Sequence, residues 1–226
     1  MEYKVIHDPA FSVLVFSLDK GEKIVAEKGA MMYMSDTLEV TTKGRKGGKM
    51  RGVQTSILGR ESYFVNTFTA KDGDGEVGFV GPSFGDIQAI DLSLGSMILQ
   101  KGSYLANTDQ VLLDTKWQGL KGYLSERNLV MLHASGKGTI WVNAFGGIVK
   151  KVLGKGENLK VDTGYLVGWD DTMEYTIERI GNMKSTILSG EGIITKVTGP
   201  GRVFMQTRRY ANLIRSIRSN LGKRVA

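Results

Sequence analysis

Along most of the chain the apolar residues recur at every second position, in short runs. Segments such as Val13-Leu14-Val15-Phe16 and Thr139-Ile140-Trp141-Val142 are bounded by glycine and by clusters of Asp, Asn or Ser. That pattern predicts short antiparallel strands joined by turns. A 3.6-residue period emerges only near the end, where Leu213, Ile214, Ile217 and Leu221 line one face of a helix running from Tyr210 to Leu221. The expectation is an all-β body with one short C-terminal helix.

The pattern also repeats. Gly21-Glu-Lys-Ile24 leads to Gly29, Gly95-Ser-Met-Ile98 to Gly102, and Gly156-Glu-Asn-Leu159 to Gly164, with the paired glycines 8, 7 and 8 apart. A leucine precedes each first glycine (Leu18, Leu92, Leu153). An aspartate follows each second one (Asp36, Asp109, Asp171), with an apolar residue two further on (Leu38, Val111, Met173). Apolar pairs come next, Tyr63-Phe64, Tyr123-Leu124 and Ile193-Ile194, and then strand-like segments ending near Val80, Val142 and Met205. These columns predict three tandem units at about 10-80, 85-145 and 146-207, followed by a basic amphipathic tail at 208-226. A unit of this size cannot easily seal its own strand edges, so the three are expected to share one compact body.

Composition narrows the chemistry. Thirty glycines against three prolines fit many tight turns, and 41% apolar residues suffice for a core. With no cysteine there is no disulfide, thiolate metal site or cysteine nucleophile, and two histidines, His7 and His133, cannot form a three-histidine cage within one chain. Neither a metal nor an organic cofactor is expected. Acids near the N-terminus, no apolar segment behind them, and no run approaching the roughly 18 apolar residues of a membrane span point to a cytoplasmic chain without a transmembrane segment.

Individual motifs are weighed by context. Gly81-Pro-Ser83-Phe-Gly85 matches a nucleophile elbow, with Asp109 or Asp114 and then His133 in the right chain order, but a strand rather than a helix is expected after Gly85. Gly73-Asp-Gly75-Glu-Val-Gly78 matches a dinucleotide fingerprint, yet a strand follows it too, so it reads as a hairpin turn. Gly48-Lys49-Met50 lacks the hydroxyl residue of a P-loop. Asp36, Asp109 and Asp171 read as turn residues whose carboxylates accept the turn's own N–H groups. Asp162 and Glu191 are glycine-flanked and suited to pairing with an arginine such as Arg202. His133 reads as a hydrogen-bonded strand residue. No catalytic residue is assigned.

The net charge is +7. Lys43, Arg45, Lys46, Lys49 and Arg51 share a glycine-rich loop without an acid, and Arg208, Arg209, Arg215, Arg218, Lys223 and Arg224 make the tail basic. Such patches suit phosphates or an anionic membrane surface. The candidate polyanion contacts are therefore Lys43, Arg45, Lys46, Lys49, Arg51, Arg208, Arg209, Arg215 and Arg218.

Four ordered motifs carry a family resemblance. Ala26-Glu27-Lys-Gly29-Ala30-Met31-Met-Tyr-Met34, Val161-Asp162-Thr-Gly164-Tyr165-Leu166-Val167, Ser189-Gly190-Glu191-Gly192 and Gly199-Pro200-Gly201-Arg202-Val203-Phe204-Met205-Gln206-Thr207-Arg208 resemble the altered-inheritance-of-mitochondria twenty-four family from about Val13 to Arg208. The resemblance implies three copies of the short double-stranded β-helix seen in the tryptophan RNA-binding attenuation protein, with chains assembling as homotrimers. Mitochondrial relatives are linked to inner-membrane organisation. With no transit peptide evident, that role is not expected here. The family supplies no catalytic constellation to carry over, and the basic loop around Gly47-Gly48 departs from it most. The expected function is a non-enzymatic scaffold or binding protein forming a nine-unit ring. The alternative is a polyanion binder for single-stranded RNA or an anionic membrane surface.

One prediction concerns Ser83. A fluorophosphonate probe should leave it unlabelled, and labelling abolished by Ser83→Ala would revive the hydrolase reading.

Overall fold

Short apolar runs broken by glycine turns give nineteen strands and one α-helix in this computed structural model, which describes residues 1–44, 64–114, 131–179 and 193–221. The first seven strands are β1 (Glu2–Ile6), β2 (Val13–Leu18), β3 (Lys23–Glu27), β4 (Met31–Met34), β5 (Leu38–Gly44), β6 (Phe64–Ala70) and β7 (Gly75–Phe79). Next come β8 (Ile87–Asp91), β9 (Met97–Gln100), β10 (Tyr104–Thr108), β11 (Val111–Asp114), β12 (Met131–Gly136) and β13 (Thr139–Asn143). The last six are β14 (Ile148–Leu153), β15 (Asn158–Asp162), β16 (Leu166–Asp170), β17 (Glu174–Arg179), β18 (Ile193–Thr198) and β19 (Gly201–Gln206), followed by helix α1 (Tyr210–Leu221). The all-β expectation with a terminal helix holds. Tyr63, Tyr123-Leu124, Gly47-Gly48 and Ser189 to Gly192 lie outside the described residues.

The strands form four antiparallel sheets with the orders β1-β2-β7-β4, β5-β6-β3-β10-β13-β8, β11-β12-β9-β16-β19-β14 and β15-β18-β17. Adding six to each strand number of the second sheet yields the order of the third. The sheets lie in layers, and a hydrophobic core fills each of the three interlayer spaces. Leu14, Phe16, Val77 and Phe79 of the first sheet meet Ile24, Ala26, Phe68, Leu105 and Trp141 of the second. Val25, Tyr104, Ile140 and Val142 of the second meet Met97, Leu99, Leu132, Val167 and Phe204 of the third. Ile98, Leu166, Trp169 and Val203 of the third meet Val161, Met173 and Val197 against the fourth.

This layering explains the composition of the inner strands. A strand alternates its side chains between faces, so one with apolar layers on both sides needs apolar residues at consecutive positions. Ile24 and Ala26 face one core and Val25 the next; Met97 and Leu99 face one and Ile98 the next. The fourth sheet, covered on one side, alternates: β18 reads buried, half-buried, buried along its length. Glycines serve close approach. A Cβ on Gly78 would strike the Tyr33 ring at 2.4 Å, and one on Gly75 would strike Leu38 at 2.1 Å. The Gly73–Gly78 motif lies in the turn between β6 and β7 and the start of β7; since β6 belongs to the second sheet and β7 to the first, the turn crosses between sheets rather than closing the expected hairpin.

Glu27 closes β3 opposite Val65. Burial pushes its carboxyl up to about 7, opposed by the nearby Lys101 ammonium. The folded state therefore holds the proton more tightly than the unfolded chain, whose glutamates titrate near 4.3. Stability should fall as pH rises from about 4.3 to 7, by at most about 4 kcal/mol. Urea unfolding at pH 5 and pH 8 should show this loss in the parent chain, and Glu27→Gln should largely remove it.

Candidate functional site

The three turns before β5, β11 and β17 are built alike. Ser35 Oγ accepts from Glu76 N at 2.9 Å, Thr108 Oγ1 from Thr139 N at 3.2 Å, and Asp170 Oδ2 from Arg202 N at 2.7 Å. Each bond ties a turn to the strand entering the neighbouring ladder. Asp36, Asp109 and Asp171 lie in these turns, as expected, and the oxygen that ties each turn to the neighbouring strand belongs to the residue before them. A short polar residue followed by aspartate was the available signal. Asp171 reaches across to β12. Its Oδ2 lies 2.8 Å from His133 Nε2, giving His133 a carboxylate partner between β12 and the β16–β17 turn. Asp114 faces His133 across the β11–β12 ladder.

The arginine pairing differs from expectation. Arg202 pairs with Asp170 rather than Asp162, through Nε at 3.0 Å and Nη2 at 2.8 Å to Oδ1. Asp162 is held instead by Nη1 of Arg209. Both partners of this second pair are largely buried, with 13% and 9% of their side chains exposed. The Arg209 guanidinium also lies 5.6 Å from the centre of the Tyr165 ring. Arg209 is therefore a structural anchor at the entry to α1, which removes it from the exposed cations of the tail.

Around that anchor lies a cleft of about 640 Å³ lined by Pro9, Phe11, Phe84, Phe145, Tyr165, Arg208 and Leu213, among others. The Phe145 ring stacks on Tyr210 with centroids 4.6 Å apart. Tyr210 Oη lies 3.0 Å from Pro82 O and 2.9 Å from Ser83 Oγ, and Asn212 Nδ2 donates to Tyr165 Oη at 3.3 Å. These contacts moor the first turn of α1. Beyond it the helix is uncovered: Ile214, Ile217 and Leu221 are 47%, 47% and 58% exposed, and no residue of α1 is buried. Past Leu213 the apolar face is thus not packed on the described body. Phe11 and Phe84, 71% and 62% exposed, stand at the cleft rim. Single aromatics in turns carry no periodic signal, so the sequence did not mark them. Burial pushes the Asp86 carboxyl, which follows Phe84 and Gly85, above its ordinary value, while the N–H groups of Ile87 and Ile148 partly offset this.

Ser83 is followed by β8, not by a helix, so the elbow geometry is missing; its N–H donates to Asn143 Oδ1 at 3.0 Å. Among the described residues no three His, Asp or Glu side chains converge as a metal site, and no helix is long and apolar enough to cross a membrane. Of the candidate polyanion contacts, Arg208, Arg215 and Arg218 are exposed on the tail. Lys43 falls in β5 and its side chain, like Arg45, Lys46, Lys49 and Arg51, lies outside the described residues.

Comparison with known proteins places this architecture. An uncharacterised protein of Streptococcus pyogenes serotype M6 is 26% identical over 214 residues, covering 92% of this chain and 86% of that protein. A crystal structure of a protein from Streptococcus pyogenes superposes with a TM-score of 0.78 at 21% identity, over 97% of this chain and 99% of the other. The family profile described as Mitochondrial biogenesis AIM24 matches residues 3–208, and the chain belongs to that family.

Proposed function

We propose that this protein is a non-enzymatic scaffold whose chain is three copies of one six-stranded unit, and that three chains close into a ring. The observation that carries this reading is the fit between the first and fourth sheets. Strands β2–β7, β8–β13 and β14–β19 occupy matching places, and each inner sheet joins three strands of one unit to three of the next. The joint is the second strand of one unit beside the third strand of its successor. Ile24, Val25 and Ala26 face Thr108, Asn107 and Ala106; Met97, Ile98 and Leu99 face Asp170, Trp169 and Gly168. This register sets Met97, not Ile98, level with Ile24, because the turn after Gly95 is one residue shorter than that after Gly21.

By the same rule β2-β7-β4 of the first sheet and the fourth sheet are the two halves of a third six-stranded sheet, with β1 added at its margin. The fourth ends on β15 and the first on β4, and neither free edge has a strand partner among the described residues. Placed together from two copies, β15 sets Leu159, Lys160 and Val161 opposite the partner's Ser35, Met34 and Tyr33. Exposure supports this joint. Met31, Met32, Tyr33 and Met34 are 42%, 61%, 39% and 37% exposed, whereas Tyr104, Leu105 and Ala106 at the equivalent places are fully buried. An apolar, unpaired edge strand invites association, and a head-to-tail joint must either close or run on as a fibre. The homotrimer implied by the family resemblance is the closed solution with nine units. Ser83 and His133, engaged by Tyr210 and Asp171, support a structural rather than catalytic reading.

The His133–Asp171 contact bridges the second and third units. At the proposed joint the matching residues are Lys196, which lies opposite Lys160 as His133 lies opposite Ile98, and the partner's Asp36. Light scattering should give three times the chain mass. Met32→Asp should yield a folded chain of single mass. Asp36→Lys and Lys196→Glu should each weaken assembly, on the order of 1 kcal/mol per contact, and the double exchange should restore it. A monodisperse monomer of the parent chain at micromolar concentration would overturn the ring.

A further inference from the structure

We infer that α1, together with the rim of the cleft at its base, docks the protein on an anionic phospholipid surface. Tyr210, Leu213, Ile214, Ile217 and Leu221 recur at intervals of three and four and form one continuous apolar face. The opposite face is polar and closed on itself, with Ser219 Oγ and Asn220 Nδ2 each donating to Ser216 O at 2.9 Å. Arg218 borders the apolar face on one side, Arg215 lies on the polar face, Arg208 stands exposed at the foot of the helix, and from Ile193 to Ala226 the sequence holds no acid. This is the make-up of a helix that lies in a membrane interface: modest overall hydrophobicity, a strongly sided apolar surface and a cationic flank. Phe11 and Phe84 extend the apolar surface past the helix, on the rim shared with Leu213.

The occupant follows from chemistry. Twelve residues are marginal as a helix in water, and the exposed Arg208 at its N-terminus opposes the helix dipole, so α1 gains stability wherever its apolar face is covered. Ile214, Ile217 and Leu221, the exposed length of the helix face, are aliphatic and offer no ring to a nucleobase, which favours acyl chains there, while the exposed rings of Phe11 and Phe84 stand apart at the cleft rim. An acidic headgroup layer meets the arginine flank directly, each cation near such a surface strengthening binding about fivefold. The inference does not require the ring.

Flotation of the full chain with vesicles tests it. The parent protein should float with phosphatidylglycerol–phosphatidylcholine vesicles and not with pure phosphatidylcholine, less strongly at high salt. The double variant Ile214→Gln, Ile217→Gln should bind roughly tenfold more weakly or worse. Arg215→Gln, Arg218→Gln should bind roughly thirtyfold more weakly, with neither pair altering mass by light scattering. Failure of the parent chain to float, or undiminished binding by either double variant, overturns the inference. So does tighter binding of a single-stranded RNA oligonucleotide that competes with vesicles, or a change in mass caused by the isoleucine variant, which would assign the face to contacts between copies. A parent chain that floats as a monomer keeps this inference and refutes the ring alone.

Discussion

Every β-strand carries hydrogen-bonding groups on both sides, and a sheet is complete only when its outermost strands are paired, covered or made unattractive. That constraint organises this molecule. The two inner sheets run to six strands each, while the outer ones stop short at β4 and β15. The other margins differ. β1 lies along β2, and β14 carries the exposed Lys150 and Lys151 on opposite faces of its strand, between the exposed Val149 and Val152. β4 has four large apolar residues at the surface.

The same economy governs the interior. A hydrophobic layer on each side of an inner sheet turns consecutive residues into members of different cores, so a substitution at Val25 and one at Ile24 disturb different interlayer spaces. Polar anchors gather at the sheet ends, where Ser35, Thr108 and Asp170 tie turns to ladders and Arg202 and Arg209 are locked to aspartates. Hydrogen bonds to charged groups are among the stronger polar contacts available, and Asp162–Arg209 fixes the point from which α1 leaves the body.

That departure point separates the two readings of the surface. The edges of the first and fourth sheets suit a second copy of the chain because they offer backbone groups in a defined register. The face of α1 offers only side chains, apolar in the middle and cationic at the flank, and so suits a fluid, acidic, apolar phase. The cleft below it, walled by Phe84, Phe145 and Tyr165, joins these features to the base of the helix.

Read alone, the sequence determined the all-β class, the terminal helix and the columns that recur around Gly21, Gly95 and Gly156, because period-two alternation, glycine turns and a single 3.6-residue stretch are local properties of the chain. It also marked the arginines of the tail. It did not determine which carboxylate each arginine meets. Arg209 faces Asp162 and Arg202 faces Asp170 across 47 and 32 residues of chain, and only the packing of β15, β16 and β19 decides between them. The one-residue offset at Met97 was hidden for a related reason, since a shortened turn shifts register without altering the apolar pattern on either side. The bare face of α1 was the least legible feature. An amphipathic stripe reads the same whether a protein core covers it or not, and only the tertiary structure, by mooring the first turn and leaving Ile214, Ile217 and Leu221 in the open, decided which.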